Sequence, residues 1–371
     1  MRVLLAPDGF GGTLSPAEAA RAMADGWSDT APGDVLDLAP LSDGGPGLVE
    51  VVAAALPTAR VRRLDVEDPL ARPTSARWLL DGTTAWIESA EACGLHLLAA
   101  AERDPARTTT YGVGQLVTAA LDAGAEKIVV GLGGSATNDG GAGLLAALGV
   151  SRHDADGRRL DGGGAALREL DHLVGALDPR LADVELVAAT DVDSPLLGLR
   201  GASAVYGPQK GADREAVARL DAALERWADA LEPFLDVRVR DEAGAGAAGG
   251  LGAALLALGA RRASGLAMVQ ELVGLPERVA QAELVVTGEG VLDATSLTGK
   301  VVGGVAAAAA QAAVPCLVLA GEVRAGRREL AAAGLSETHS LVEQVGRDRA
   351  LGEAAAALRW MTARVARQWS R

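Results

Sequence analysis

Short apolar runs alternate with alanine-rich stretches of helical length along the whole chain. This alternation marks βα units built around largely parallel sheets, whose strands are buried on both faces and therefore read as unbroken apolar runs. The pattern predicts strands at 2–6, 35–39, 61–66, 85–89, 127–132, 184–189, 284–287 and 316–320. Helices are expected at 17–27, 112–123, 214–231 and 352–369, where the apolar period lengthens to that of a helix. Residues 301–321 are apolar apart from Gln311, but alanine and glycine dominate and Pro315 interrupts them. A buried helix followed by a strand fits this stretch, and a membrane span does not. Trp78 and Trp86 alternate with smaller residues at strand spacing and are expected in the core. No fixed-period repeat is present, which excludes a solenoid.

A length of 371 residues exceeds what one core ordinarily serves, so two domains are expected. The arginine-rich stretch 60–73 and the segment around 277–281 are the candidate crossing points. They give one discontinuous domain, residues 1–63 with 282–371, and a second, residues 64–281, inserted into it. The formal charge of −14 and the lack of a basic run argue against nucleic acid and anionic membrane as partners, leaving a small molecule. Cys93 and Cys316 sit alone in apolar stretches, as buried thiols of a reducing compartment do, and the N-terminus has no secretory pattern. A cytoplasmic location is expected. Oligomeric state is left open, monomer or homodimer.

An acidic protein that binds an anion must use local donors. The densest candidate is the loop Gly131-Leu-Gly-Gly-Ser-Ala-Thr-Asn-Asp-Gly-Gly-Ala-Gly143, between a strand and an apolar helix. Gly133 and Gly134 let a ligand approach the main chain, and Ser135 and Thr137 offer hydroxyls. Phosphate or carboxylate is the natural guest, although Thr137, Asn138 or Asp139 could equally cap the helix. Asn138 is the chain's single asparagine. Lysine is nearly as scarce: of thirty-five cationic side chains only Lys127, Lys210 and Lys300 are lysines. Lys210 and Lys300 lie in glycine-flanked loops, where a compact ammonium meets a phosphate, and Lys127 opens a strand as a surface residue.

Carboxylates recur where strands end, at Asp8, Asp43, Asp191, Asp193, Glu289 and Asp293. Such groups hold a divalent cation or take a proton from a hydroxyl, and Asp also serves turns. Residues 244–250 fit GxGxxG, but a mostly alanine and glycine stretch meets that pattern easily, so a dinucleotide site is weakly supported. No GxxxxGK[ST] loop occurs. His96, His153, His172 and His339 are scattered without metal-ligand spacing, and no GxSxG elbow is present, which disfavours zinc and nucleophilic hydrolase chemistry. The glycine-rich residues 157–164 read as a mobile surface turn.

Together these segments resemble the bacterial glycerate kinase family, the two-domain type without a P-loop. The resemblance is carried by Ala6-Pro7-Asp8-Gly-Phe10, Ser42-Asp43-Gly44-Gly45, Glu88-Ser89-Ala90 and Thr110-Tyr111-Gly112-Val113-Gly114. It continues through Gly133 to Gly141, Asp191-Val192-Asp193, Gly207-Pro208-Gln209-Lys210-Gly211, residues 244–250, Thr287-Gly288-Glu289-Gly290, Asp293 and Gly299-Lys300. The implied fold is α/β in two domains: one Rossmann- or flavodoxin-like with a mainly parallel sheet, discontinuous in sequence, and an inserted mixed α/β domain. ATP as donor, Mg²⁺ as its companion and D-glycerate as acceptor are likewise implied. Asp43, Asp191 and Lys300 become catalytic candidates, with Asp43 and Asp191 also around the metal. Asp8, Gly133, Gly134, Ser135, Thr137, Asn138, Asp139, Lys210, Glu289 and Asp293 become binding candidates. These loops are expected to line one interdomain crevice.

The chain departs from the family pattern at four positions. Gly11 stands where the family has lysine, Pro46 where it has glutamate, Val291 where it has arginine, and Gln115 where an acid follows Tyr-Gly-x-Gly. A carboxylate gripped by Lys or Arg gains roughly 1.5–3 kcal/mol per charge-assisted bond. Loss of two cations therefore leaves three readings open: compensation elsewhere, a different small hydroxy acid as acceptor, or a non-catalytic ligand-binding relative.

Overall fold

The computed structural model describes residues 1–370. The chain forms two compact units, residues 1–43, 50–55 and 265–371, and residues 44–49 and 56–264. The helix Leu48–Ala55 carries one of the unit edges.

The first unit holds a five-stranded sheet in the order Glu337–Ser340, Cys316–Val323, Leu284–Leu292, Arg2–Leu5, Val35–Leu38, every pair parallel. Numbered within the unit the order is 2-1-3-4-5, the flavodoxin-like arrangement, and its switch point lies between Arg2–Leu5 and Leu284–Leu292. Val3, Leu4, Leu5, Leu284, Val285 and Val286 have no exposed surface, as the central strands of a doubly covered parallel sheet require. Helix Pro16–Ser28 begins with a complete capping box: the Ser15 hydroxyl accepts from Glu18 N–H, and the Glu18 carboxylate accepts from Ser15 N–H. The helix packs along Ala354–Trp369, with Met23, Trp27, Leu358 and Met361 fully buried.

The second unit holds a six-stranded mixed sheet ordered Arg261–Ala263, Glu185–Ala189, Lys127–Gly131, Thr84–Glu88, Pro73–Asp81, Arg60–Glu67. The first four run parallel and the last two join antiparallel. A separate hairpin pairs Val150–His153 with His172–Gly175. Trp78 and Trp86 are buried on neighbouring strands, as expected of core residues, and Cys93 and Cys316 are buried free thiols. Among the described residues no helix is long and apolar enough to cross a membrane.

Residues 244–250 owe their glycines to packing. Ala248, Gly249 and Gly250 take φ of 51°, 70° and 91° at the head of helix Ala247–Ala257, and Gly140 N–H donates to the Gly249 carbonyl at 3.0 Å. A Cβ on Gly249 would lie 1.9 Å from the Thr137 carbonyl oxygen. Two loops therefore touch backbone to backbone. Gly249→Ala is expected to cost roughly 2–4 kcal/mol, from overpacking and a left-handed alanine together. Urea unfolding measures this, and a near-wild-type midpoint would contradict the packing.

Candidate active site

In the first unit the switch point gathers the carboxylates. Backbone pairing continues past Leu5, since Ala6 N–H donates to the Val286 carbonyl and Asp8 N–H to the Gly288 carbonyl, each at 2.8 Å. Asp8 therefore lies beside Glu289. Asp8 accepts one short bond, from Gly9 N–H at 2.7 Å. Burial pushes its carboxyl well above the usual range, Asp43 and Glu289 add to the rise, and the Gly9 N–H and Lys300 oppose it. Glu289 is raised to about 7, chiefly by burial, with Asp293 and Asp43 adding and the Ser296 hydroxyl and Lys300 opposing. Its Oε1 is buried without a hydrogen-bond partner. Lys300 is exposed at the head of helix Val301–Gln311. Asp293 is occupied locally: its carboxylate accepts from Thr295 N–H at 2.8 Å, the Thr295 hydroxyl at 2.6 Å and Ser296 N–H at 3.2 Å, which lowers its pKa.

In the second unit the loop at 131–143 is held from beneath. Asp139 has no exposed surface and accepts from Thr110 N–H (2.8 Å), the Thr110 hydroxyl (2.9 Å), Gly143 N–H (3.1 Å) and Gly141 N–H (3.2 Å). Thr137 donates to the Ala248 carbonyl, and Asn138 Nδ2 donates to the Ser203 hydroxyl at 2.9 Å. Asn138 Oδ1 is buried without a partner. Lys210, 2% exposed, donates from Nζ to Ser135 Oγ at 3.0 Å and to the Thr137 carbonyl at 2.7 Å. Burial lowers its pKa to about 8, against the opposing pull of Cys93 and Asp139. Gly133 and Gly134 keep accessible surface, whereas Thr137, Asn138 and Asp139 are interior. Asp191 follows strand Glu185–Ala189, half-buried, and Asp193 beyond it pairs with Arg262. Asp43 is half-buried at the edge of the first unit.

A profile of the glycerate kinase family matches residues 3–370. The chain belongs to that family. It is 41% identical over 350 residues to the glycerate 2-kinase of Escherichia coli K12, covering 93% of this chain and 92% of that protein. To the glycerate kinase of Bacillus subtilis 168 it is 43% identical over 346 residues, covering 92% and 90%. The crystal structure named for glycerate kinase 2 of Salmonella typhimurium LT2 superposes with a TM-score of 0.77 at 40% identity, covering 99% of this chain and 98% of that one. The protein is thus a kinase of the glycerate kinase family.

The departures from the family pattern have local structural settings. Gly11 and Gly12 form a turn with φ of 53° and 83°, a backbone that lysine enters only at a cost. Pro46 packs against Gly134. Gln115 accepts from Glu67 N–H at 2.8 Å, a bond its amide oxygen makes without a buried charge. Val291 lines a 140 Å³ cavity with Phe10, Gly11, Thr13, Arg324 and Arg347. Both arginines bond to Glu322, Arg324 at 3.0 Å and Arg347 at 2.8 Å. Sequence reasoning missed this pair because nothing in the local pattern of arginine 324 or 347 sets it apart from the other arginines; only the pairing of Val291 with Glu322 across parallel strands brings them near.

Glu88 was also missed as an individual residue. It is 2% exposed, its Oε2 accepts from Gly47 N–H at 3.1 Å and Val49 N–H at 3.2 Å, and burial, then Glu91, raises it to about 7. The native state therefore holds a proton that the unfolded chain releases above about pH 4.5, so this contribution is present below that pH and is lost as pH rises towards 7. Glu88→Gln is expected to remove it, flattening the melting temperature between pH 4.5 and 7 by the equivalent of about 3 kcal/mol. Parallel slopes for the variant and the wild type would contradict a protonated Glu88.

Proposed function

We propose that this kinase transfers the γ-phosphoryl group of ATP, accompanied by Mg²⁺, to a hydroxyl of D-glycerate, forming phosphoglycerate and ADP. The observation that carries the reading is the set of neighbouring carboxylates Asp8, Asp43 and Glu289 with Lys300 at the strand ends of the parallel sheet. Phosphoryl transfer asks the protein mainly for positioning and charge stabilisation. Among the described residues no three His, Cys, Asp or Glu side chains are grouped so as to hold a metal unaided. Magnesium ordinarily takes one or two carboxylates together with substrate phosphates and water, so these carboxylates, with a buried orphan oxygen on Glu289, suit an ion that arrives with the nucleotide.

In this reading Asp43 and Asp191 serve the metal or the acceptor hydroxyl, and Lys300 meets transferred phosphate. Asp8 and Glu289 set the local charge, and Asp293 fixes the turn before Lys300. Gly133, Gly134 and Ser135 offer phosphate or carboxylate contacts, with Lys210 as their charge. Thr137, Asn138 and Asp139 hold that loop in shape. Arg324 and Arg347 take over from the cations absent at Gly11 and Val291 and grip the acceptor carboxylate. The cavity they border has the volume of a small acid and is far too small for a nucleotide. The small side chains there also favour a second reading, a hydroxy acid somewhat larger than glycerate.

Coupled detection of ADP with D-glycerate and Mg²⁺ tests the proposal: turnover well above the ATP-only rate is expected, and none would contradict it. Arg347→Ala, at an exposed position, is expected to raise the KM for glycerate about 10–100-fold, with kcat changed far less. An unchanged KM would remove Arg347 from the acceptor site.

A further inference from the structure

Arg152 is an anomaly. It lies on strand Val150–His153, is 5% exposed, and its Nε and Nη1 are buried without hydrogen-bond partners. A buried guanidinium left unpaired is among the costliest arrangements a protein keeps, because Arg stays charged and its donors have lost water. Asp139 and Asp161 attract it and Arg159 repels it. Asp139 already accepts four hydrogen bonds, from Thr110, Gly141 and Gly143. Among the described residues Arg152 forms no salt bridge, and its Nε and Nη1 stay without a partner.

Arg152 is among the residues that line a cavity of 430 Å³, with Glu67, Thr109, Tyr111, Arg159 and Asp161. That volume is in the range of small-molecule sites. All these residues belong to the second unit, whereas the cavity beside Gly11 and Val291 belongs to the first. Arg159 and Asp161 come from the glycine-rich residues 157–164, read from sequence as a surface turn; here that turn forms one wall.

We propose that this cavity is a second ligand site, binding a small hydroxylated oxyanion: a hydroxy acid or its phosphate ester. Two arginines line it, and the forked donors of a guanidinium match a carboxylate or phosphate. Glu67 and Asp161, on the same wall, accept hydrogen bonds from hydroxyls, which a bare inorganic anion lacks. The site has a route to the loop of the second unit. Thr109 and Tyr111 flank Thr110, whose N–H and hydroxyl both hold Asp139. An occupant therefore stiffens the segment that anchors the loop carrying Ser135 and Asp139.

Thermal unfolding without nucleotide tests the site in the wild type, Arg159→Ala, Arg152→Met and Arg347→Ala. The probes are 3-phosphoglycerate, D-glycerate and inorganic phosphate, each against sodium chloride at matched ionic strength. Phosphoglycerate or glycerate at about a hundredfold excess over its Kd is expected to raise Tm on the order of 5 °C in the wild type and Arg347→Ala, and by clearly less in the other two, where only the acceptor cavity remains to bind it. Arg159 is exposed, so its variant folds whatever becomes of Arg152→Met. No rise in the wild type would overturn the proposal, as would an undiminished rise in Arg159→Ala. A rise lost only in Arg347→Ala would place the anion at the acceptor cavity instead, and an equal rise with inorganic phosphate would overturn the requirement for hydroxyls.

Discussion

The pairing of Arg2–Leu5 with Leu284–Leu292 is the contact on which the first unit depends. It joins segments separated by some 280 residues, with Val3 opposite Leu284 and Leu5 opposite Val286. Contacts this distant in sequence are entropically expensive to close, and fully buried aliphatic side chains on both strands offset that cost. Because the strands are parallel and in this register, both end at the same edge. The register places Asp8 beside Glu289, where burial, and after it the nearby carboxylates, holds both carboxyls above their usual range.

The second unit uses a different device, a loop fixed by buried hydrogen bonds. Asp139 accepts four bonds from backbone and threonine donors, Lys210 is held by Ser135 and the Thr137 carbonyl, and Gly249 admits the other loop at backbone distance. Buried polar groups satisfied in this way rigidify what they join. The exceptions stand out against that background. Asn138 Oδ1, Glu289 Oε1 and the Arg152 guanidinium keep unused capacity in the interior, and such orphans call for a ligand, an ion or water.

Much of the fold was legible in the sequence. The strands expected at 2–6, 127–132 and 316–320 occur as Arg2–Leu5, Lys127–Gly131 and Cys316–Val323, because buried parallel strands leave apolar runs that survive without context, and the one expected at 35–39 occurs as the exposed edge strand Val35–Leu38. Helices 112–123 and 214–231 occur as Tyr111–Asp122 and Arg214–Leu235. The strands that escaped, Val150–His153, His172–Gly175, Arg261–Ala263 and Glu337–Ser340, are short and polar and lie at sheet edges or in the hairpin, where pairing partners decide the state. Pro73–Asp81 begins with a proline, which a strand tolerates at its first residue. For the candidate site, the sequence marked the loops that carry Asp8, Ser135, Lys210 and Glu289. Side-chain fate was not legible: Asp139 and Asp293 read alike as carboxylates on loops, yet one is an interior anchor and the other closes a turn. Arg152, Arg324 and Arg347 were hidden among the many arginines of the chain, and only tertiary structure separates an orphaned or converging guanidinium from a solvated one.

Under the proposed function, phosphoryl chemistry takes place at the strand ends of the five-stranded parallel sheet. A crystal structure with Mg²⁺, a non-hydrolysable ATP analogue and D-glycerate tests it most directly. The terminal phosphate or its metal is expected within ligand or hydrogen-bond reach of Asp8, Asp43, Glu289 or Lys300. A terminal phosphate bound away from all four would contradict it.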